Sequence, residues 1–218
     1  MERIWVISQQ AVLPMTKALL QVTVPLTLLS FSAGFILAAW AALARISNRL
    51  ILKQTAAAYV WLFRGTPLLV QLFVCFFGLP SVGIQLDVWS AALITFSLNT
   101  GAYASESIRS AILAVPKGQF EAATSLGMNR WQVMRWIIAP QALKIALPPL
   151  SNNFISLVKD TSLAASITLV DVFMTAQRIA ARTYEPLLLY SLAAAYYLIV
   201  CTALNYLQTH LEKKLTVY

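Results

Sequence analysis

The sequence predicts an all-α membrane protein with about five transmembrane helices, and its composition and apolar runs support this prediction. Hydrophobic residues make up 59% of the 218 residues and charged residues only 11%, whereas a soluble domain has roughly 25% charged residues. The formal charge is +8, but the basic residues stand in the connections between apolar runs. They do not line one face together with stacking aromatic residues, so the charge does not indicate nucleic-acid binding.

Five apolar segments give the predicted spans. A span needs about 20 residues at a rise of 1.5 Å per residue, and the first, second and fifth segments meet this length. The third becomes polar toward its end, and the fourth is short, which predicts that other parts of the protein shield it. The segments cover approximately residues 19–44, 55–79, 88–108, 145–158 and 187–207.

Basic residues between the spans predict the orientation. With the N-terminus outside, ten of them fall in cytoplasmic connections and five in outer ones, as the positive-inside rule requires. The C-terminus is then cytoplasmic. The predicted organisation is an extracytoplasmic segment 1–18, a membrane domain 19–211 and a cytoplasmic tail 212–218. Within the membrane domain, residues 168–182 are predicted to form an amphipathic helix on the outer surface.

A polar helical segment between two spans stands apart from the apolar pattern. It begins at Glu121 with a short helix, and Gly127 can take a positive φ and turn the chain. Asn129 and Gln132 have the spacing of a capping box, which starts a second helix. Pro140 is predicted to end that helix. The segment, with bounds of about 117–140, is therefore expected to present two short helices with a bend on the cytoplasmic side.

This segment resembles the EAA loop of type I permease subunits from bacterial ABC importers. The family pattern is Glu-Ala-Ala, three residues, Gly, nine residues and Ile-x-Leu-Pro, and only Ala139 differs, standing where leucine is usual. The resemblance implies that the segment docks into a groove of an ATP-hydrolysing subunit. The alternative, an amphipathic helix lying on the bilayer, does not account for the spacing. The residues expected at the ATPase interface are Glu121, Ala122, Ala123, Gly127 and Arg130.

The second span contains a sequence that breaks helices, Arg64-Gly-Thr-Pro67. Proline removes one helical hydrogen bond and glycine weakens the turn beside it. Irregular backbone and charge at membrane depth are tolerated only where they line a cavity or are buried in protein. Arg64 and Thr66 are therefore candidates for the translocation path. The alternative is a structural kink, with Arg64 snorkelling or paired to a carboxylate.

Three polar residues of the third span share one helix face, because Asn99, Tyr103 and Glu106 lie at i, i+4 and i+7. A carboxylate in lipid is costly, so Glu106 is expected to face the protein interior or the aqueous edge. Glu106 could bind a substrate ammonium group or pair with Arg64 as a gate. The alternative is a pair with Arg109 at the membrane interface.

The fourth span combines two prolines, Pro148 and Pro149, with a polar face. The prolines predict a discontinuous helix surrounded by protein. Lys159 and Asp160 together present both charges that a zwitterionic amino acid would meet, although a local ion pair between them is an equal alternative. The substrate-path candidates of this span are Asn152, Asn153, Ser156, Lys159 and Asp160.

Two further runs resemble the polar-amino-acid branch of these permeases, which includes histidine, glutamine and cystine types. They are Arg-Gly-Thr-Pro-Leu-Leu-Val-Gln at residues 64–71 and Ser-Leu-Val-Lys-Asp-Thr-Ser-Leu-Ala at residues 156–164. The resemblance covers residues 21–211. It implies a dimer of permease subunits in the bacterial inner membrane, two ATPase subunits that bind ATP and Mg, and an extracytoplasmic binding protein. The implied substrate is a polar amino acid, with cystine ranked first.

The chain itself carries no nucleotide-binding or catalytic signature. It has no Gly-x-x-x-x-Gly-Lys-Ser/Thr run, no nucleophile–base set and no metal-ligand cluster, so it is not expected to be an enzyme. One alternative is a secondary transporter or channel that uses Glu106 and Asp160 as ion sites. Another is a membrane scaffold that moves nothing. Both leave the spacing of residues 121–127 without a purpose.

Overall fold

The computed structural model describes residues 2–215, and every regular element in this range is helical. Within it we number eight helices, three of which join segments of different helical type. Helix α1 comprises Glu2–Ala18, Leu19–Thr23 and Val24–Ile46; α2 is Leu50–Gly65; α3 comprises Leu68–Phe73, Val74–Gly78 and Leu79–Val82; α4 is Val88–Ala114; α5 is Lys117–Ser125; α6 comprises Arg130–Gln132, Val133–Ile138, Ala139–Asp160 and Thr161–Ile167; α7 is Val172–Thr183; and α8 is Pro186–Leu215.

Two of these helices, α1 and α8, are long and apolar enough to cross a membrane. The pairs α2–α3 and α6–α7 pass the same test when each is taken as one span, bent by 105° and 49°. Helix α4 has 27 residues, but its polar side chains lower its hydropathy and it does not pass. Length and composition therefore give two to four spans among residues 2–215, and the five spans and their orientation stay predictions.

The first helix extends well before the apolar run that predicted it. Helix α1 starts at Glu2, so the described part of the segment 1–18 continues the first span as one helix. Ala11 and Met15 in this part are fully buried. They pack in one cluster with Val172 of α7 and Leu189 of α8. The start of α1 is thus held by tertiary packing, although its own sequence is only moderately apolar.

Each π-helical turn in the described chain precedes a proline by two residues. The prolines are Pro25, Pro80 and Pro140. In a regular α-helix the proline ring clashes with the carbonyl four residues earlier, and in all three cases that carbonyl lies in the wider π turn. The helix that begins at Arg130 therefore continues through Pro140, and the prediction that Pro140 ends it is wrong.

The paired prolines of α6 do not interrupt it either. Pro148 and Pro149 lie inside the α-helical segment Ala139–Asp160, so the predicted discontinuity at this point is wrong. The φ that proline imposes is itself helical, and buried Ala146 and Leu150 pack the helix on both sides of the pair. The departure from α geometry comes later, after Asp160.

Helices α1 and α4 approach each other closely through glycine. A Cβ at Gly34 would lie 2.9 Å from the carbonyl oxygen of Ser97, and one at Gly101 would lie 2.6 Å from the Tyr59 hydroxyl. That hydroxyl donates a hydrogen bond of 2.6 Å to the Leu98 carbonyl of α4. Small residues thus let the backbones of α1, α2 and α4 meet, as is common between membrane helices.

We expect Gly34→Ala to destabilise the protein by about 1–3 kcal/mol, the usual cost of overpacking. The added methyl group would press on the backbone of α4, which cannot move aside as a flexible side chain would. Gly118→Ala is the matched control, because a Cβ there has no heavy atom within 4 Å. Thermal unfolding in detergent measures both variants. Equal melting temperatures would show that the two helices can separate without cost.

Candidate functional site

A polar cavity of about 480 Å³ lies among α3, α4 and α6. The bend between α2 and α3 supplies one wall, the middle of α4 the second, and the last turns before Asp160 the third. Most lining positions are polar, although the surrounding helices are largely apolar. The lining residues are Thr66, Pro67, Leu68, Asn99, Thr100, Tyr103, Asn153, Ser156, Leu157 and Asp160.

Six of the ten predicted substrate-path residues line this cavity, whereas Arg64, Glu106 and two candidates on α6 do not. Asn152 accepts a hydrogen bond of 3.2 Å from Gln208 of α8, and Lys159 is exposed outside the lining. The lining positions of α6 repeat at i, i+3, i+4 and i+7, so they share one face that excludes both residues. The six are Thr66, Asn99, Tyr103, Asn153, Ser156 and Asp160.

The carboxylate of Asp160 has no hydrogen-bonding partner among the described residues. The alternative of a local ion pair with Lys159 does not form within 4.0 Å in the described range. Asp160 is also partly buried. A partly buried carboxylate without a hydrogen-bond donor is costly unless a cation or donor meets it. The cavity therefore contains an acceptor suited to a cationic group such as an ammonium.

A single glutamine holds the broken helix in place. The Nε2 atom of Gln71, which carries two N–H groups, lies within hydrogen-bonding distance of three acceptors: the Phe63 carbonyl at 2.8 Å, the Thr66 carbonyl at 3.0 Å and the Thr66 hydroxyl at 2.8 Å. Its Oε1 atom accepts a hydrogen bond of 2.9 Å from Asn99. These bonds satisfy carbonyls that the break at Pro67 leaves free. Gln71 was not among the predicted site residues. The sequence feature that could have identified it is a single amide side chain inside an apolar run.

Glu106 is the centre of a cluster of three arginines. Arg45 of α1 donates a hydrogen bond to its Oε2 atom, and Arg109 donates to its Oε1 atom. Arg64 is the third partner, with its Nη1 atom 3.6 Å from Oε2. Both predicted pairs, with Arg64 and with Arg109, therefore occur together. Arg45 was not predicted to take part, although it is the charge that ends the first apolar run.

The turn after α5 is a Schellman motif built on glycine. Gly127 has φ +78, its N–H donates to the Thr124 carbonyl at 2.9 Å, and the Met128 N–H donates to the Ala123 carbonyl at 3.2 Å. Both bonds belong to this motif. The capping box also forms: the Gln132 N–H donates to the Asn129 side chain at 3.0 Å, and the Gln132 side chain accepts from the Asn129 N–H at 2.8 Å.

One face of α5 is exposed and the opposite face packs on the protein itself. Glu121 and Ala122 are exposed, as is Arg130 beyond the turn. Ala123 is 3% exposed and packs in a cluster with Val133, so it lies on the face of α5 that packs within the chain, and its place at the ATPase interface stays a prediction. The most exposed apolar residue here is Leu126, at 83%, which the prediction did not include.

Helices that break beside a polar cavity are typical of membrane transport proteins. Residues 33–217 match the family described as "Binding-protein-dependent transport system inner membrane component", and the chain belongs to this family. The L-cystine transport system permease protein TcyB of Bacillus subtilis (strain 168) is 46% identical over 215 residues, 98% of this chain and 92% of that protein. The glutamine transport system permease protein GlnP of Escherichia coli (strain K12) is 33% identical over 199 residues, 90% of this chain and 91% of that protein.

Solved structures agree with these sequence matches. The crystal structure of an amino acid ABC transporter with histidines superposes with a TM-score of 0.90 at 33% identity, over 95% of this chain and 96% of that chain. The MetNI methionine ABC transporter, at 19% identity, shares the fold with a TM-score of 0.77 over 93% of this chain and 98% of that chain. The predicted resemblance to ABC importer permeases of the amino-acid type is thereby confirmed.

Proposed function

We propose that this chain is the membrane-spanning permease subunit of an ATP-driven importer that moves a polar amino acid into the cytoplasm. The observation that carries the proposal is the polar cavity of about 480 Å³ in an otherwise apolar helical protein. Sites for small molecules have volumes of roughly 300–1,000 Å³. The cavity also offers Asp160 to a cationic group and several neutral hydrogen-bonding groups to the rest of a polar molecule.

The connection of α5 to the cavity suggests how ATP hydrolysis drives transport. Helix α5 follows α4 directly and leads through the turn at Gly127 into α6, and both α4 and α6 line the cavity. An ATPase subunit bound to the exposed face of α5 would move α4 and α6, and with them two walls of the cavity. The exposed residues of that face and turn are Glu121, Ala122, Leu126 and Arg130. ATP and Mg would be bound by the ATPase.

The proposed assembly contains two permease subunits, two ATPase subunits and an extracytoplasmic binding protein in the bacterial inner membrane. In this proposal the N-terminus lies outside and the C-terminus in the cytoplasm, as the distribution of basic residues predicts. One chain supplies only one set of cavity walls, so a path that closes on all sides needs a second subunit. Cystine is the proposed substrate, supported by the 46% identity to the cystine permease TcyB.

Affinity purification from solubilised host membranes, followed by mass spectrometry, tests this proposal. We expect an ATPase subunit with a P-loop to co-purify and the complex in proteoliposomes to take up radiolabelled L-cystine only with ATP and the binding protein. Glu121→Lys should reduce ATPase recovery, because it reverses a charge on the exposed face of α5. Uptake by the chain alone, driven by an ion gradient, would overturn the proposal in favour of a secondary transporter.

A further inference from the structure

The arginine cluster around Glu106 leaves one cation without a hydrogen-bonding partner. Arg45 and Arg109 each bind one oxygen of the Glu106 carboxylate. Arg64 lies 3.6 Å from the nearer oxygen, which is an ion-pair distance but too long for a hydrogen bond. Its guanidinium donates no hydrogen bond to any described residue. None of its five N–H groups is therefore committed to a hydrogen bond, although the guanidinium stays at ion-pair distance from Glu106.

Arg64 adjoins the polar cavity through Tyr103, although it is not itself one of the lining residues. Its guanidinium carbon lies 5.3 Å from the centre of the Tyr103 ring, and Tyr103 lines the cavity. Thr66, two residues further along the chain, also lines it. The Arg64 side chain is 41% exposed, compared with 20% for Arg45 and 27% for Arg109. A molecule in the cavity can thus reach Arg64 more easily than the other two.

The charges around the cavity match an α-amino acid. Three arginines around one glutamate leave two formal positive charges uncompensated, while the lining itself contributes the carboxylate of Asp160. We propose that Arg64 binds the α-carboxylate of the transported amino acid and selects for it, with Asp160 available to the ammonium group. A guanidinium can hold a carboxylate by two parallel hydrogen bonds, which gives orientation as well as attraction. The inference rests on the proposed function.

Two hydrogen bonds join α2 to α4 besides the ion pair of Arg64 with Glu106. The Tyr59 hydroxyl already donates to the Leu98 carbonyl at 2.6 Å, and Asn99 donates to the Phe63 carbonyl at 3.3 Å. Both bonds join the same two helices. Arg64 therefore adds an accessible positive charge at a contact that other residues maintain.

Competition binding with two ligands of equal size tests the inference. The purified complex of this chain with its co-purifying subunits is placed in nanodiscs without the binding protein, which has its own specificity. Radiolabelled L-cystine is displaced by unlabelled L-cystine or by L-cystine diamide, which keeps both ammonium groups but lacks both carboxylates. We expect wild type to prefer cystine by about tenfold or more, the loss typical of a charge-assisted hydrogen bond. Arg64→Gln should bind the two within about twofold.

Two further variants make the outcome decisive. Arg49→Gln removes the same charge from an exposed position outside the cluster and should keep the wild-type preference. If Arg64→Gln does not assemble, Arg64→Lys is measured instead, since lysine keeps the positive charge but lacks the planar guanidinium group. A reduced preference of this variant for cystine over the diamide supports the inference. A preference equal to that of wild type overturns it. An Arg64→Gln complex with the wild-type preference also overturns it. Absence of cystine binding by wild type overturns the proposed substrate, and the inference with it.

Discussion

Gly127→Val should reduce ATP-driven uptake by about tenfold while the protein still inserts and folds. The backbone at this position has φ +78, where a residue with a side chain costs about 1–2 kcal/mol and a β-branched residue more. Valine would therefore open the turn after α5 and shift the exposed face of that helix. A cost of about 1.4 kcal/mol corresponds to a tenfold change in rate. Uptake by proteoliposomes containing the purified complex measures the effect.

Gly127→Asn is the matched control for this prediction. Asparagine tolerates the left-handed conformation, and a Cβ at this position has no heavy atom within 4 Å, so space does not limit either variant. We expect near wild-type uptake from the asparagine variant. Equal loss in both variants would mean that the turn needs the absence of a side chain, as at a tight contact with the ATPase. Full activity in both would show that the bend does not transmit motion.

Helix caps and turns were predicted correctly from local sequence patterns. The capping box at Asn129 and Gln132 and the glycine turn at Gly127 both form as expected, since each depends on residues within one turn. The effect of proline was harder to predict, because it depends on the carbonyl four residues back. At Pro140 a π turn displaces that carbonyl, so a rule that ends a helix at proline predicted an end where the helix continues.

The site was predictable as a set of polar faces but not as a set of contacts. Helical period placed Asn99 and Tyr103 on one face of α4, and the cavity lies there. Applied to α6, the same helical period places Asn152 and Lys159 off the face that lines the cavity. Arg45 joins Glu106 only because α1 and α4 pack closely, and that approach depends on long-range contacts the sequence does not reveal.

Asp160→Asn should lower the kcat/KM for cystine uptake by about tenfold or more. The carboxylate lines the cavity, and no described residue supplies it with a hydrogen bond. A hydrogen bond that involves a charged group contributes about 1.5–3 kcal/mol, equivalent to roughly a tenfold to hundredfold change. Asparagine has nearly the same shape and can still accept a hydrogen bond, but it carries no negative charge, so the loss reports charge and not packing.

Asp87→Asn provides the same chemical change away from the cavity. Asp87 caps α4 by accepting hydrogen bonds from the Trp89 and Ser90 N–H groups, and asparagine is an equally good cap. We expect wild-type uptake from this variant. If Asp160→Asn matches it, the ammonium group is met elsewhere and the cavity is only a passage. If Asp160→Asn alone fails while cystine binding to the binding protein is unchanged, the Asp160 charge in the cavity of this subunit contributes directly to transport, because the variant complex differs from the wild type at no other position.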